Sequence, residues 1–177
     1  MRDAAVERVS LVFSLFDANG TGRLDQEDFE LMAGRVVAVA DGSPEEDKQA
    51  VVAAFRGYWD VLLATLDADG DGEVTWAEFR ACVLSPERFD ATVAVFADAL
   101  SRLGDPDGDG LVERPRFLAL MRAIGFAEPN VHALFDALGP SAADLVEVDA
   151  WRQAIVEFYA PDKDGIAGDR LVGEAVR

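Results

Sequence analysis

The stretch Asp67-Ala68-Asp69-Gly70-Asp71-Gly72-Glu73-Val74-Thr75-Trp76-Ala77-Glu78 decides how this chain folds. Carboxylates stand at its first, third, fifth and twelfth positions, glycine at the sixth and an aliphatic residue at the eighth. Alternate side chains of a tight loop point inward, so Asp67, Asp69 and Asp71 converge. A hard cation such as Ca2+ asks for this arrangement, because it takes about six to eight oxygens at roughly 2.3–2.6 Å. Glycine at the sixth position tolerates the positive φ of the sharp turn. Glu73, at the seventh, offers its backbone carbonyl, and Thr75, at the ninth, is placed to hold a water. Glu78 closes the shell with both carboxylate oxygens. Val74 turns back to the core, where two such loops can join through a short β-bridge.

Working outward, the pattern recurs twice. Asp17–Asp28 has Asp17, Asn19 and Thr21 at the odd positions, the carbonyl of Arg23 at the seventh and Asp28 at the twelfth. Aspartate is one methylene shorter than glutamate, which favours a smaller, six-coordinate shell and opens this site to Mg2+. Asp105–Arg116 has Asp107 and Asp109 in step with Asp105 and offers the Leu111 carbonyl, but carries arginine at the twelfth position. Arginine cannot ligate a cation. Its charge can neutralise an empty loop, and Glu113 at the ninth position can replace the missing carboxylate in part, so occupied and empty states both stay open. Gly104 is unusual too, since Phe16 and Leu66 precede the other two loops.

Three copies demand a fourth, and spacing finds it. Phe135, Leu138, Val146 and Trp151 set the frame of a loop over Gly139–Ala150 that has lost nearly every ligand. This copy is expected to survive as a pairing partner, with Val146 facing Val112 and with Asp144, Glu147 and Asp149 solvated.

The flanks read as helices. Val9, Val12, Phe13 and Phe16 precede the first loop at helical spacing, and Trp59, Leu62, Leu63 and Leu66 precede the second. Helices resume at Phe29-Met32-Val36, Phe79-Val83 and Phe117-Leu120-Met121-Ile124. Ser43-Pro44-Glu45-Glu46 reads as an N-cap, a first-turn proline and a capping-box glutamate. Ser85-Pro86 reads as another helix start.

Three degenerate loops with aromatic-bearing flanking helices resemble EF-hands. Loop starts at 17, 67, 105 and 139 leave a first gap longer than the others. That long connection and the segment from Trp151 to Gly173 resemble the sarcoplasmic calcium-binding protein class, including its prokaryotic calerythrin-type members. The resemblance implies an all-α fold of four EF-hand helix-loop-helix units in two packed pairs. It divides the chain at 1–84, 85–160 and a tail, 161–177. It also implies Ca2+ buffering rather than partner sensing, and a monomer with no assigned protein partner. The rival is a sensor. Sensors that open expose Met-rich grooves, and this chain has three Met. Leu171 and Val172 of the tail can cover the remaining cleft. Photoproteins of similar architecture use several His-Trp-Tyr clusters, against one His and two Tyr here.

Composition supports this reading. Of a net charge of −18, the four loops hold −13, from 16 acids against 3 Arg. Acidity of this size argues against nucleic acid and anionic membranes. With Cys82 alone, no intrachain disulfide can form. The N-terminus does not read as a secretory signal, and no apolar run is long enough to span a bilayer, so a cytoplasmic location is expected. His132 alone, with no nucleophile or phosphate-loop motif, leaves no catalytic constellation. Cys82 and the three Trp read as packing residues, and Asp162-Lys163-Asp164-Gly165 as a turn.

Overall fold

Apolar residues at helical spacing bury one face of each helix, and the acidic loops lie between the helices. The computed structural model describes residues 3–81, 86–160, 163 and 165–172. Hand 1 comprises α1 (Asp3–Phe16), β1 (Arg23–Leu24) and α2 (Gln26–Ala38). Hand 2 comprises α3 (Glu45–Leu66), β2 (Val74–Thr75) and α4 (Trp76–Phe79). Hand 3 comprises α5 (Asp90–Leu103), β3 (Leu111–Glu113) and α6 (Arg114–Ile124). Hand 4 comprises α7 (Glu128–Ala137), β4 (Leu145–Glu147) and α8 (Val148–Phe158). The fold is all-α, four helix-loop-helix units joined in pairs. Strands β1 and β2 pair antiparallel with Leu24 opposite Val74, and β3 and β4 with Val112 opposite Val146. All four aliphatic eighth-position residues are buried.

One contiguous core runs through both pairs. Phe29, Phe117 and Trp151, each thirteenth in its hand, are fully buried, and Phe79 nearly so. Removing an aromatic of this size from water is worth roughly 1.5–3 kcal/mol. Phe16 packs on Phe29 at 5.1 Å and on Tyr58 at 5.3 Å, while Phe117 packs on Trp151 at 4.8 Å. Trp76 lies half-buried against Phe13, with ring centroids 5.2 Å apart. The packing role expected of the three Trp therefore holds.

Trp151 also explains Gly104. A Cβ at Gly104 would lie 2.5 Å from Trp151 Cζ3. The bulkier aromatic of hand 4 occupies the space that a side chain before loop 3 would need.

Two helix starts differ from expectation. Ser43 does not cap α3. Pro44 holds the cap position without a side-chain bond, and α3 runs unbroken for 22 residues. The Ser43 hydroxyl donates instead to the Leu103 carbonyl at 2.9 Å, a partner 60 residues away. The extra length of the first gap thus lies largely in α3, a single long helix leading into loop 2. The second start follows a 3-10 turn at Pro86–Arg88, and α5 begins at Asp90. Cys82, Val83 and Ser85 lie outside the described residues.

The tail returns to the body as a 3-10 turn, Ala167–Val172, with Leu171 buried. Arg8 of α1, itself buried, donates to Asp169 at 2.6 Å and to the carbonyls of Ala160 and Lys163 at 3.0 and 2.9 Å. Gly168 sits where a Cβ would lie 2.9 Å from Phe158. Asp162, Asp164 and Gly173 lie outside the described residues. Among the described residues, no helix is long and apolar enough to cross a membrane.

Candidate metal centres

Loop 2 brings its acids together. One carboxylate oxygen from each of Asp67, Asp69 and Asp71 lies within 4.8 Å of the others. Backbone amides hold the side chains in place. Gly70 and Gly72 N–H donate to Asp67 at 2.7 and 3.0 Å, Asp71 N–H to Asp69 at 3.2 Å, and Glu73 N–H to Asp71 at 2.9 Å. Glu78 at the twelfth position accepts from Thr75 N–H at 2.9 Å and Ala68 N–H at 3.0 Å. These amides, with the Thr75 hydroxyl, hold the Glu78 carboxyl below the usual glutamate range. A preorganised set of charged oxygens suits a hard divalent cation.

Loop 1 repeats the scheme in a shorter form. Asp17 accepts from Thr21 and Gly22 N–H at 2.8 and 2.9 Å, and Asn19 Oδ1 from Thr21 N–H at 3.1 Å. The Thr21 hydroxyl donates to the Arg23 carbonyl at 3.1 Å, so these two expected ligands adjoin. Asp28 is fully buried and accepts from Asn19 and Asp25 N–H, each at 2.9 Å. Glu78 reaches back to the second residue of its loop, whereas the shorter Asp28 reaches the third. Burial pushes the Asp28 carboxyl above the usual aspartate range, against the pull of those two amides. The Arg23 side chain crosses to loop 2 and pairs with Glu73 at 2.6 Å.

The ninth and twelfth positions do a second job in both loops. Asp25 and Asp28 form a reciprocal capping box at the start of α2, as do Thr75 and Glu78 at the start of α4. Each box satisfies amides that a helix start leaves orphaned.

Loop 3 keeps the cluster and loses the closure. Oxygens of Asp105, Asp107 and Asp109 again lie within 4.8 Å of one another. Asp105 accepts from Asp109 and Gly110 N–H at 3.1 and 2.9 Å, and Asp109 from Leu111 N–H at 2.8 Å. Glu113 occupies the cap position of α6 with no side-chain cap bond. Arg116 does not neutralise its loop, as the sequence suggested. It turns away and donates to the Asp41 carbonyl at 2.6 Å and the Ser43 hydroxyl at 3.3 Å.

Loop 4 contains an interaction that sequence reasoning missed. Asp144 stands at the sixth position, where the other loops have glycine, with φ 61°. Aspartate tolerates this left-handed conformation better than most residues. Its carboxylate is not simply solvated. Arg114 Nε donates to both its oxygens, at 3.0 and 2.9 Å, while Nη2 donates to Asp136 at 2.7 Å. The guanidinium also lies 4.3 Å from the Phe135 ring centroid and 3.3 Å from His132 Nδ1. The hydrogen bonds from Arg114 hold Asp144 below the usual aspartate range. His132 thus sits half-buried on α7 beside an arginine. Asp149 is exposed and pairs with Arg152 at 3.1 Å, and Glu147 is exposed.

Paired acidic loops between helices, bridged through their eighth residues, define a class of calcium-binding helix-loop-helix proteins. Residues 7–84 match the EF-hand domain pair. Probable calcium-binding protein CML28 of Oryza sativa subsp. japonica is 30% identical over 127 residues, 63% of this chain and 69% of that protein. The chain belongs to the EF-hand calcium-binding proteins. Its relatives include calerythrin of Saccharopolyspora erythraea, 23% identical over 163 residues, 88% of this chain and 92% of that one. A Streptomyces coelicolor calcium-binding protein, solved as a structural basis for prokaryotic calcium-mediated regulation, shares the fold. It is 24% identical with a TM-score of 0.74, and the match covers 90% of this chain and 99% of that one.

Proposed function

We propose that this chain is a cytoplasmic Ca2+ buffer or transport protein, monomeric and without enzymatic activity. In this reading loop 2 binds most tightly, through Asp67, Asp69, Asp71, the Glu73 carbonyl and Glu78. Loop 1 binds through Asp17, Asn19, Thr21, the Arg23 carbonyl and Asp28, and admits Mg2+ because its closing carboxylate is short. Loop 3 offers Asp105, Asp107, Asp109, the Leu111 carbonyl and Glu113 without a twelfth-position ligand, and binds most weakly. Residues 1–84 and 85–160 act as the two hand pairs, with 161–177 as a covering tail.

The observation that carries this reading is the carboxylate cluster of loop 2, closed by Glu78 and bridged to loop 1 through Leu24 and Val74. Buried Leu171 supports the buffer role, since a tail packed on the core leaves less apolar surface for a partner. Calorimetric titration with Ca2+, with and without millimolar Mg2+, tests it. Two or three sites are expected, and Glu78→Gln should remove the tightest. A heat trace with no Ca2+ binding ends the reading.

A sensor role is the second reading. A cleft of about 390 Å3 lies among α1, α3, α5 and α8, lined by Val9, Val12, Leu62, Phe89 and Val93 among others. The calcium-mediated regulation ascribed to the Streptomyces coelicolor relative points the same way. Binding of an apolar dye separates the two roles. A Ca2+-dependent rise in fluorescence supports the sensor, and a flat response supports the buffer.

A further inference from the structure

The short connection from α2 to α3 grips hand 3 on both sides of its loop. Gly42, with φ +78°, turns the chain beside Arg116, whose Nη2 lies 4.0 Å from the place a Gly42 Cβ would take. Arg116, in the first turn of α6, donates to the Asp41 carbonyl and the Ser43 hydroxyl. Buried Ser43 donates onward to the carbonyl of Leu103, the last residue of α5. One turn further on, Asp47 of α3 pairs with Arg102 of α5 at 2.8 Å. The helix entering loop 3 and the helix leaving it are therefore both tied to one short connection belonging to the other pair.

The other end of that connection is α2, the exiting helix of hand 1. Its start is fixed by Asp25 and Asp28, and Asp28 also closes loop 1. In hand 1 the twelfth residue ties the exiting helix to its own loop. In hand 3 the twelfth residue ties the exiting helix to the connection.

We propose that the Asp41–Ser43 connection is a strap carrying the position of α2, and so the occupancy of loop 1, to both helices of hand 3. Arg116 is its anchoring residue. The proposal rests on the reading of loop 1 as a Ca2+ site. It gives the arginine that spoils loop 3 as a binding loop a role as a positioning residue between the pairs. Coupling of this kind requires an element that both sites bias, and the strap is that element.

The test uses the full chain carrying Asp105→Asn and Asp109→Asn, so that hand 3 does not report an ion of its own. Ca2+ is titrated while backbone amide shifts are followed by NMR. Gly22 reports loop 1, Gly72 reports loop 2, and Leu103 and Phe117 report the two helices of hand 3. Leu103 and Phe117 should move with the Gly22 midpoint and fall silent when Asp17→Ala is added. Arg116→Gln, and separately Ser43→Ala, should leave the Gly22 response intact. Each should cut the amplitude of the hand 3 shift changes to a small fraction of that in the parent chain. The strap is overturned if hand 3 stays still while Gly22 moves. It is equally overturned if hand 3 moves as far in either Arg116→Gln or Ser43→Ala, or follows Gly72 and survives Asp17→Ala. A silent Gly22 removes the loop 1 reading and the strap together, a result distinct from a silent hand 3 beneath a responding Gly22.

Discussion

The two hand pairs share a backbone plan, but only the first closes its loops with a twelfth-position carboxylate. In hands 1 and 2 the twelfth residue is a carboxylate that bonds amides of its own loop and caps its own helix. In hands 3 and 4 that residue is Arg116 or Ala150, and neither α6 nor α8 has a side-chain cap bond. Arginines provide the ties instead, Arg116 to the connection and Arg114 to Asp136 and Asp144. A guanidinium is a permanent cation with a fixed fork of donors. In the second pair the ties beside the loops are thus ion pairs and arginine bonds, whereas in the first the twelfth-position carboxylates bond backbone amides.

The largest expected difference lies in ion affinity. Glu78→Gln should weaken Ca2+ binding at loop 2 by at least about 100-fold, since outer-shell losses alone cost roughly 10–100-fold. Arg116→Gln should leave the number of sites unchanged by calorimetry. Equal losses in the two variants would erase the contrast between the pairs. Next comes Gly104→Ala, whose Cβ meets Trp151. Overpacking of this kind costs about 1–3 kcal/mol, read as a lower unfolding midpoint in chelator.

Part of this contrast is legible in the sequence and part is not. The acid clusters of loops 2 and 3, the pairing of Leu24 with Val74 and of Val112 with Val146, and the fourth loop's lack of such a cluster all follow from a repeat of fixed spacing. Each depends on residues close in the chain or equivalent by repeat. Gly104 was flagged by its departure from that repeat, but its cause, Trp151, lies 47 positions away. Ser43 carried a strong local signal for a helix cap, and a buried carbonyl 60 residues on drew its hydroxyl away. Arg114 and Arg116 gave no local clue to their partners, which lie 18 to 75 residues distant. Local rules locate elements, while the ties between elements depend on packing.

Smaller effects sharpen the contrast further. Arg114 holds Asp144 below its usual range, so this pairing contributes stability above the unfolded aspartate value near 3.9. The contribution disappears as pH falls through the lowered folded value. The melting gap between wild type and Arg114→Met should therefore be full at pH 6, begin to narrow near about pH 4 and vanish only below the lowered folded value. A gap that persists unchanged in acid would show that packing on Phe135, not charge, is what Arg114 supplies. Smallest of all, Gly57 lies inside α3 with open space around its Cβ position. Gly57→Ala should raise stability by about 0.5–1 kcal/mol in chelator denaturation, the reverse of Gly104→Ala.

Helix α3 gives the molecule leverage. Its 22 residues make a rod of about 33 Å. One end opens loop 2 at Asp67, and the other rests on hand 3 through Asp47 and Arg102. A tilt of about 10° pivoting at one end sweeps the other through roughly 6 Å, more than a full turn of helical rise. Pinned on hand 3 by the Asp47–Arg102 pair, the rod holds the entry to loop 2 at the end of a long arm, where a small misalignment would amount to the size of a side chain.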